Sequence, residues 1–404
     1  MRALALALFG LVACGPLMPI RTDAGSAGGS ASTGGGFVFG GGSSGGGFVV
    51  AGGAAGGGST AGGSTAGGSS AGGSSGGGTT AGGSGGGGLG PFSWSVMTIV
   101  PTPSASGSAA VAARAQEAWL AISPNLYRST GAAFNQVVGV NLSSVKDLWV
   151  TPMGKVFIVQ ASPSSYICTA ADCSVGANFV LQSSGDSSDY FDGLCGSGEA
   201  VYAIGNGNNN QAILFEFNGT GWTKISNDLG FNGAKRCIVG PSGEIYVLGK
   251  TFSIRYEGGG FTQENVDLMG QSPAEWNDFA FTFGATAEAF LVGGQGQSGS
   301  VVSYRFARRN AAGTGWTAMT IPMMGTSLNA IVRLSPNEYL AAGSNGGGTT
   351  VPKFLQWNGT AWVASTQPPN ALSTVTRASV VNEREVFLVG NASAGGYAVV
   401  RGRR

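Results

Sequence analysis

From Gly90 to the C-terminus, apolar runs of four to seven residues rich in Val, Ile, Phe and Tyr alternate with clusters of Gly, Asn, Ser and Pro. Runs this short, bounded by turn formers, predict β-strands rather than helices. One run recurs seven times around a large residue: Glu117-Ala-Trp-Leu-Ala, Lys155-Val-Phe-Ile-Val, Ala200-Val-Tyr-Ala-Ile, Glu244-Ile-Tyr-Val-Leu, Glu288-Ala-Phe-Leu-Val, Glu338-Tyr-Leu-Ala-Ala and Glu385-Val-Phe-Leu-Val. Its central residues are Trp119, Phe157, Tyr202, Tyr246, Phe290, Leu340 and Phe387, spaced from 38 positions (Trp119 to Phe157) to 50 (Phe290 to Leu340). A Gly stands three positions later in five copies, at Gly205, Gly249, Gly293, Gly343 and Gly390. The segment 107–116 is Ala-rich enough for a short helix, but it occupies the place of a first strand and is read as strand.

Each copy continues with another strand and then a Gly-rich turn ending in an aromatic, as in Asn218-Gly-Thr-Gly-Trp and Asn358-Gly-Thr-Ala-Trp. Asn-Gly between two strand runs predicts a hairpin, because both residues tolerate positive φ. The copy around Phe387 ends before any such turn. Residues 90–99, Gly-Pro-Phe-Ser-Trp-Ser-Val-Met-Thr-Ile, supply the missing strand with Trp94 as its aromatic. A strand from one terminus that completes the sheet begun by the other closes a ring and removes its open edges.

Repeats of this length, closed in this way, predict an all-β fold: a seven-bladed β-propeller over 89–404 whose last blade is closed by the N-terminal strand. The blades fall near 109–143, 144–183, 191–228, 235–268, 277–321, 328–366 and 374–404 plus 91–100. A pair of β-sandwiches is the alternative, and it leaves the spacing without a cause. The Gly-then-aromatic order resembles the Kelch-like propellers of bacterial surface proteins over 90–404. Only Gly293-Gly294 reproduces the Gly-Gly pair of true Kelch repeats, and the Trp-Asp ending of WD40 repeats is missing, so the resemblance implies an architecture and no named activity.

Ahead of the repeats the composition changes. Gly makes up 74 of 404 residues, and most of the excess lies in 24–88, with slipped units such as Ser59-Thr-Ala-Gly-Gly. Such a chain buries too little to offset its ordering entropy, so a disordered tether is expected, with a root-mean-square reach of roughly 40–50 Å. Phe37-Val-Phe and Phe48-Val-Val are apolar islands within it. Residues 1–13 pair Arg2 with an apolar run too short to cross ~30 Å of hydrocarbon, and read as an export signal. The junction Leu11-Val12-Ala13-Cys14 resembles the lipobox of bacterial lipoproteins. That resemblance implies cleavage before Cys14, lipid on its sulfur, 14–23 as a lipidated N-terminus, and membrane lipid as a partner in the bacterial cell envelope. Gly15 in place of an acidic residue favours the outer membrane, on its periplasmic face or at the cell surface. An ordinary signal peptide is the alternative.

An exported chain permits disulfides among Cys168, Cys173, Cys195 and Cys237. The first two are close enough to staple a turn. Cys195 and Cys237 precede Tyr202 and Tyr246 by seven and nine residues, on one strand face of successive repeats, where a bridge between neighbours fits. With no His and no Cys-x-x-Cys, neither a metal nor a cofactor is expected.

Charge is sparse, at 10% of residues and net +1, which gives no reason to expect nucleic acid or an anionic membrane surface as partner. The lack of His removes imidazole as base, proton shuttle or ligand. Asp-box motifs and quinone-propeller motifs are missing as well. Carboxylate pairs remain a catalytic device, but Glu117, Glu244, Glu288, Glu338 and Glu385 recur just before the core run and read as parts of the repeat.

Ten residues before their core aromatics stand Asp147, Asp192, Arg236 and Arg377, expected on innermost strands facing a central channel, with Arg333 near the same strand of its own copy. Exposed aromatics stack on sugar rings. Trp357 recurs as Phe217, Tyr256 and Phe306 and is assigned to packing, whereas Trp276 has no counterpart, is expected in a loop, and is a ligand candidate. The expected function is a single-copy, non-catalytic binding or scaffold domain recognising a protein or glycan through loops at one end of the ring. The alternatives are a carboxylate-based glycan hydrolase or lyase and a structural subunit of an envelope assembly.

Overall fold

A computed structural model describes residues 90–404 apart from 101–108, 116, 132, 268–273, 284–287, 296–304, 320–326, 345–353 and 367–370. Cys14, the tether and its Phe37 and Phe48 islands lie outside the described residues.

Strand β1 (Ser93–Val100) comes first in the chain. Blade one is β2 (Ala109–Arg114), β3 (Glu117–Ile122), β4 (Asn125–Ser129) and β5 (Asn135–Val137), so the Ala-rich segment is a strand. Blade two is β6 (Val145–Val150), β7 (Val156–Gln160), β8 (Ser164–Cys168) and β9 (Val180–Ser183). Blade three is β10 (Tyr190–Ser197), β11 (Ala200–Asn206), β12 (Ala212–Phe217) and β13 (Trp222–Ser226). Blade four is β14 (Arg236–Val239), β15 (Ile245–Leu248), β16 (Phe252–Glu257) and β17 (Gly260–Asp267). Blade five is β18 (Ala274–Phe281), β19 (Ala289–Gln295), β20 (Arg305–Arg309) and β21 (Trp316–Met319). Blade six is β22 (Ser327–Ser335), β23 (Glu338–Ser344), β24 (Phe354–Trp357) and β25 (Trp362–Ala364). Blade seven is β26 (Leu372–Asn382), β27 (Glu385–Ala392) and β28 (Tyr397–Arg403), completed by β1, which runs antiparallel to β28 from Ser93↔Arg403 to Val100↔Tyr397.

The first strand of each blade packs against the first strand of the next, from β2 through β6, β10, β14, β18, β22 and β26 back to β2. The ring therefore closes on itself. Its core lies between the blades: among the described residues the buried apolar side chains form seven clusters, one at each junction. Each fully buried Phe or Trp removes its ring from water and contributes about 1.5–3 kcal/mol. At the seam, Phe387 and Val399 of blade seven pack with Val111 and Leu120 of blade one. Trp94 of β1 reaches back to blade six, its ring 5.6 Å from Phe354, while its indole N–H donates to Thr366 O at 3.2 Å.

The recurring glycines have a steric cause. In blades three, five, six and seven the first strand carries a bulge, and Gly205, Gly293, Gly343 and Gly390 sit beside it on the second strand. A Cβ on Gly390 would stand 1.8 Å from Thr374 O, and one on Gly343 would stand 1.9 Å from Ser327 O. Gly390→Ala is expected to cost about 3 kcal/mol, since the bulge must shift to admit the methyl group. A thermal melt of the full chain checks this, and an unchanged midpoint would remove the steric reading.

The Asn-Gly turns differ in kind from the expected hairpin turn. Among the non-glycine residues described, only Asn209 and Asn210 have positive φ, so Asn218 and Asn358 do not. Each instead accepts, through its side-chain oxygen, the N–H and the hydroxyl of a Thr two positions on (Thr220, Thr360). Within these two turns the left-handed conformation falls to Gly219 (φ 98°) and Gly359 (φ 94°). The carboxamide does the turn's work that backbone conformation was expected to do.

Among the described residues there are two disulfides. Cys168–Cys173 closes the turn after β8, and Cys195–Cys237 joins β10 to β14, the first strands of blades three and four, with Cα atoms 5.4 Å apart.

Candidate functional site

In five blades a bulge near the entrance of the first strand inserts one extra residue, which turns that side chain toward the channel. The inserted residues are Lys146, Asp192, Asn277, Asn329 and Thr376. Lys235 holds the corresponding place just ahead of β14, its N–H donating to Leu248 O at 2.8 Å. All six line one cavity of about 310 Å³, together with Ala234, Arg236 and Arg377. Strand β2 pairs with β3 without a bulge and contributes nothing to this lining.

The bulge side chains bond from blade to blade. Lys146 Nζ lies 2.9 Å from Asp192 Oδ1, and Asn206 donates to the other oxygen of Asp192. Asn277 donates to Leu328 O at 2.9 Å, and Asn329 donates to Val375 O at 3.0 Å. Arg377 donates to Lys146 O at 3.3 Å, passing the unbulged strand of blade one, and its Nε is buried with no partner among the described residues. Lys235 reaches out to Glu275 at 3.3 Å.

One position below runs an acidic layer. Asp147 accepts the N–H of Leu148 and, from the next blade, that of Leu194, both at 3.0 Å. Asp278 repeats the arrangement with Phe279 and Ile331, again at 3.0 Å. Arg236 stands between them, 3.9 Å from Asp147 and 3.7 Å from Asp278. Burial raises both carboxyls above the ordinary carboxylate range, Asp278 to about 6, against the opposing pull of Arg236 and the two N–H donors on each. Burial likewise raises Asp192 and lowers the Lys235 ammonium. The mouth thus presents Lys146, Lys235, Arg236 and Arg377 with the carboxylate of Asp192, amides and a hydroxyl between them, while Glu275, Asp147 and Asp278 pair with Lys235 and Arg236 from just outside the lining.

Asp147, Asp192, Arg236 and Arg377 therefore come together at one end of the channel. Arg333 does not: it is exposed near the far end of β22 and donates to Phe281 O at 3.4 Å. Trp276 is a correction. It lies in β18 rather than a loop and is 1% exposed, with its ring in the junction of blades four and five, so it has no free face for a sugar. Its counterpart is Phe191, which also directly precedes a bulge.

Lys146, Lys235, Asn277, Asp278, Asn329 and Thr376 escaped the sequence reading. Asn277 stands thirteen residues before Phe290, where Lys146 stands eleven before Phe157, because seven residues separate β18 from β19. Counting from the first strand's own buried residue, Trp276 or Phe191, would have found the bulge. Three of the recurring glutamates form ion pairs: Glu117 with Arg128 at 2.7 Å, Glu288 with Arg308 at 2.5 Å, and Glu385 with Arg401.

Comparison with known proteins locates the architecture. No family model and no curated protein matches the chain. Among solved structures, YCF48 bound to D1 peptide is 14% identical, covers 77% of this chain and 95% of its own, and has a TM-score of 0.54. Virginiamycin B lyase from Staphylococcus aureus is 11% identical, covers 78% and 99%, and has a TM-score of 0.57. A chain of the mitotic checkpoint complex is 8% identical, covers 78% and 93%, and has a TM-score of 0.54. At these identities the likeness speaks for the fold alone, and together with the ring of small antiparallel sheets it makes this chain a β-propeller.

Proposed function

We propose that the chain is a non-catalytic binding domain, carried on a lipid anchor at Cys14 in a bacterial cell envelope, that grips an anionic group of a protein or glycan in the channel mouth. The observation that carries this reading is the mouth itself, where the bulged strands gather Lys146, Lys235, Arg236 and Arg377 in a cavity of about 310 Å³ and Arg377 donates to backbone carbonyls with no carboxylate partner among the described residues. Concave sites with a few convergent polar groups are the ordinary form of ligand sites. Two of the structural neighbours, YCF48 bound to D1 peptide and the checkpoint complex, are described with protein partners.

The enzyme reading has one observation in its favour, the pair Asp147 and Asp278 on either side of Arg236. Their bonding argues against it. Each carboxylate is committed to two backbone N–H groups and to Arg236, and neither lines the cavity of the mouth where a substrate would sit. Virginiamycin B lyase is catalytically inactive as a histidine-to-alanine variant, and this chain has no histidine.

The test is a calorimetric titration of the purified full chain with trigalacturonate and with an acidic protein fragment. Binding of at least one is expected, weakened about tenfold or more by Lys235→Glu, which places a carboxylate where the ligand's would sit. Binding indifferent to that reversal would sink the proposal.

A further inference from the structure

At the opposite end of the ring, blade one is built from small residues: Ala112, Ala113, Ala115 and Ala118 stand around the β2–β3 hairpin. Beside them opens a cavity of about 920 Å³, bounded by the ends of β2, β4, β6, β26 and β28. Its polar wall holds four guanidiniums and two carboxylates. Glu117 lies 2.5 Å from Arg114 and 2.7 Å from Arg128, while Glu385 pairs with Arg401 and lies 3.5 Å from Arg403. Arg114 donates to Pro152 O of blade two at 2.8 Å, and Arg401 to Gly131 O of blade one at 3.1 Å, which fixes guanidiniums on both flanks. Each carboxylate serves two arginines and Arg128 also lies 3.7 Å from Asp172, so the four guanidiniums outnumber the carboxylates they meet and keep more N–H donors than these bonds use. The side chain of Arg403 is 61% exposed. Beside Ser129 and Thr130, the wall also offers apolar surface from Ala113, Ala118, Trp149, Val150 and Phe387.

We propose that this cavity is a second binding site, separate from the channel mouth, for a short acidic peptide segment of a protein partner. Planar guanidiniums match carboxylates in two-pronged geometry. An apolar side chain of the same segment would cover the Ala, Trp149 and Phe387 wall, which a sugar acid lacks the means to do. The volume lies near the upper end of the range for ligand cavities, room for several peptide residues.

The experiment titrates the full chain, by fluorescence anisotropy, with a fluorescein-labelled hexapeptide alternating Glu and Leu and with its Lys-Leu counterpart. The acidic peptide is expected to bind, the basic one not to, and the affinity to fall severalfold between about 50 and about 200 mM salt. Arg403→Glu, a reversal at an exposed side chain, and Ala115→Trp, which fills the cavity, should each weaken binding about tenfold or more with the melting point unchanged. Lys235→Glu, at the other mouth, should leave it as it was. No binding of the acidic peptide, binding that survives both Arg403→Glu and Ala115→Trp, binding lost in Lys235→Glu, or tighter capture of trigalacturonate at this end would each overturn the assignment.

Discussion

Deleting residues 91–100 is expected to abolish the single cooperative unfolding transition and to drive the chain into aggregates. The deletion removes β1 from β28 along its whole register and takes with it Phe92, which is 4% exposed, and Trp94, which covers Phe354. Burial of the Phe92 ring alone is worth about 1.5–3 kcal/mol. The lost ladder and the uncovered junction with blade six add to it, against a total stability of about 5–15 kcal/mol for a domain. β28 would then present an open edge, the surface on which strands of other copies pair. Calorimetry and light scattering on the full chain and the deletion check this, and a peptide spanning 90–100 added in trans should restore the transition in part. A deletion that melts like the parent would show that closure is not what holds the ring.

The second large effect is expected at Asp278. Asp278→Ala should lose about 3–5 kcal/mol at neutral pH, because it strands the N–H groups of Phe279 and Ile331 and leaves Arg236 with Asp147 alone. Its titration adds a pH signature. Burial holds the folded carboxyl at about 6, above its value of 3.8 in a solvated chain, so the folded state binds this proton more tightly than the unfolded one. The contribution to stability is complete below that lower value and is lost as the pH rises through about 6. The loss amounts to at most roughly 3 kcal/mol. Asp147 is raised by the same cause and adds in the same direction. Asp278→Asn keeps the shape without the ionisation, so denaturant melts between pH 4 and pH 7 should show a flatter profile than the parent's. A profile identical to the parent's would remove Asp278 as its source.

The two aspartates also show why some of the site could be read in the chain and some could not. Asp147, Arg236 and Arg377 share one distance from their core aromatics and one height in their blades, whereas Asp192 shares the distance but, across a shorter hairpin, falls on the bulge in the place of Lys146. Asp278 fails the count only because its hairpin is longer. Trp276 misled for the same reason: without its counterpart Phe191 in view it looked like a loop aromatic, yet the ladder sets it beside Gly293 in a packed junction.

What the chain's order of residues determined by itself was the repeat, its closure and its bridges. Strand runs, turn residues and the aromatic of Trp94 are local properties, and the strand missing from the last repeat matches the pattern of residues 93–100, which pair with β28. The facing of Cys195 and Cys237 followed from strand period alone. Only the tertiary structure decided where polar side chains converge. A bulge exists in the pairing of two strands and not in either one, so nothing in Lys146, Asn277, Asn329 or Thr376 marks them before the ladder is drawn. The Ala-rich wall of blade one was visible as composition, but that its small side chains open a cavity beside four arginines depends on blades seven and two, hundreds of residues apart in sequence and adjacent only once the ring has closed.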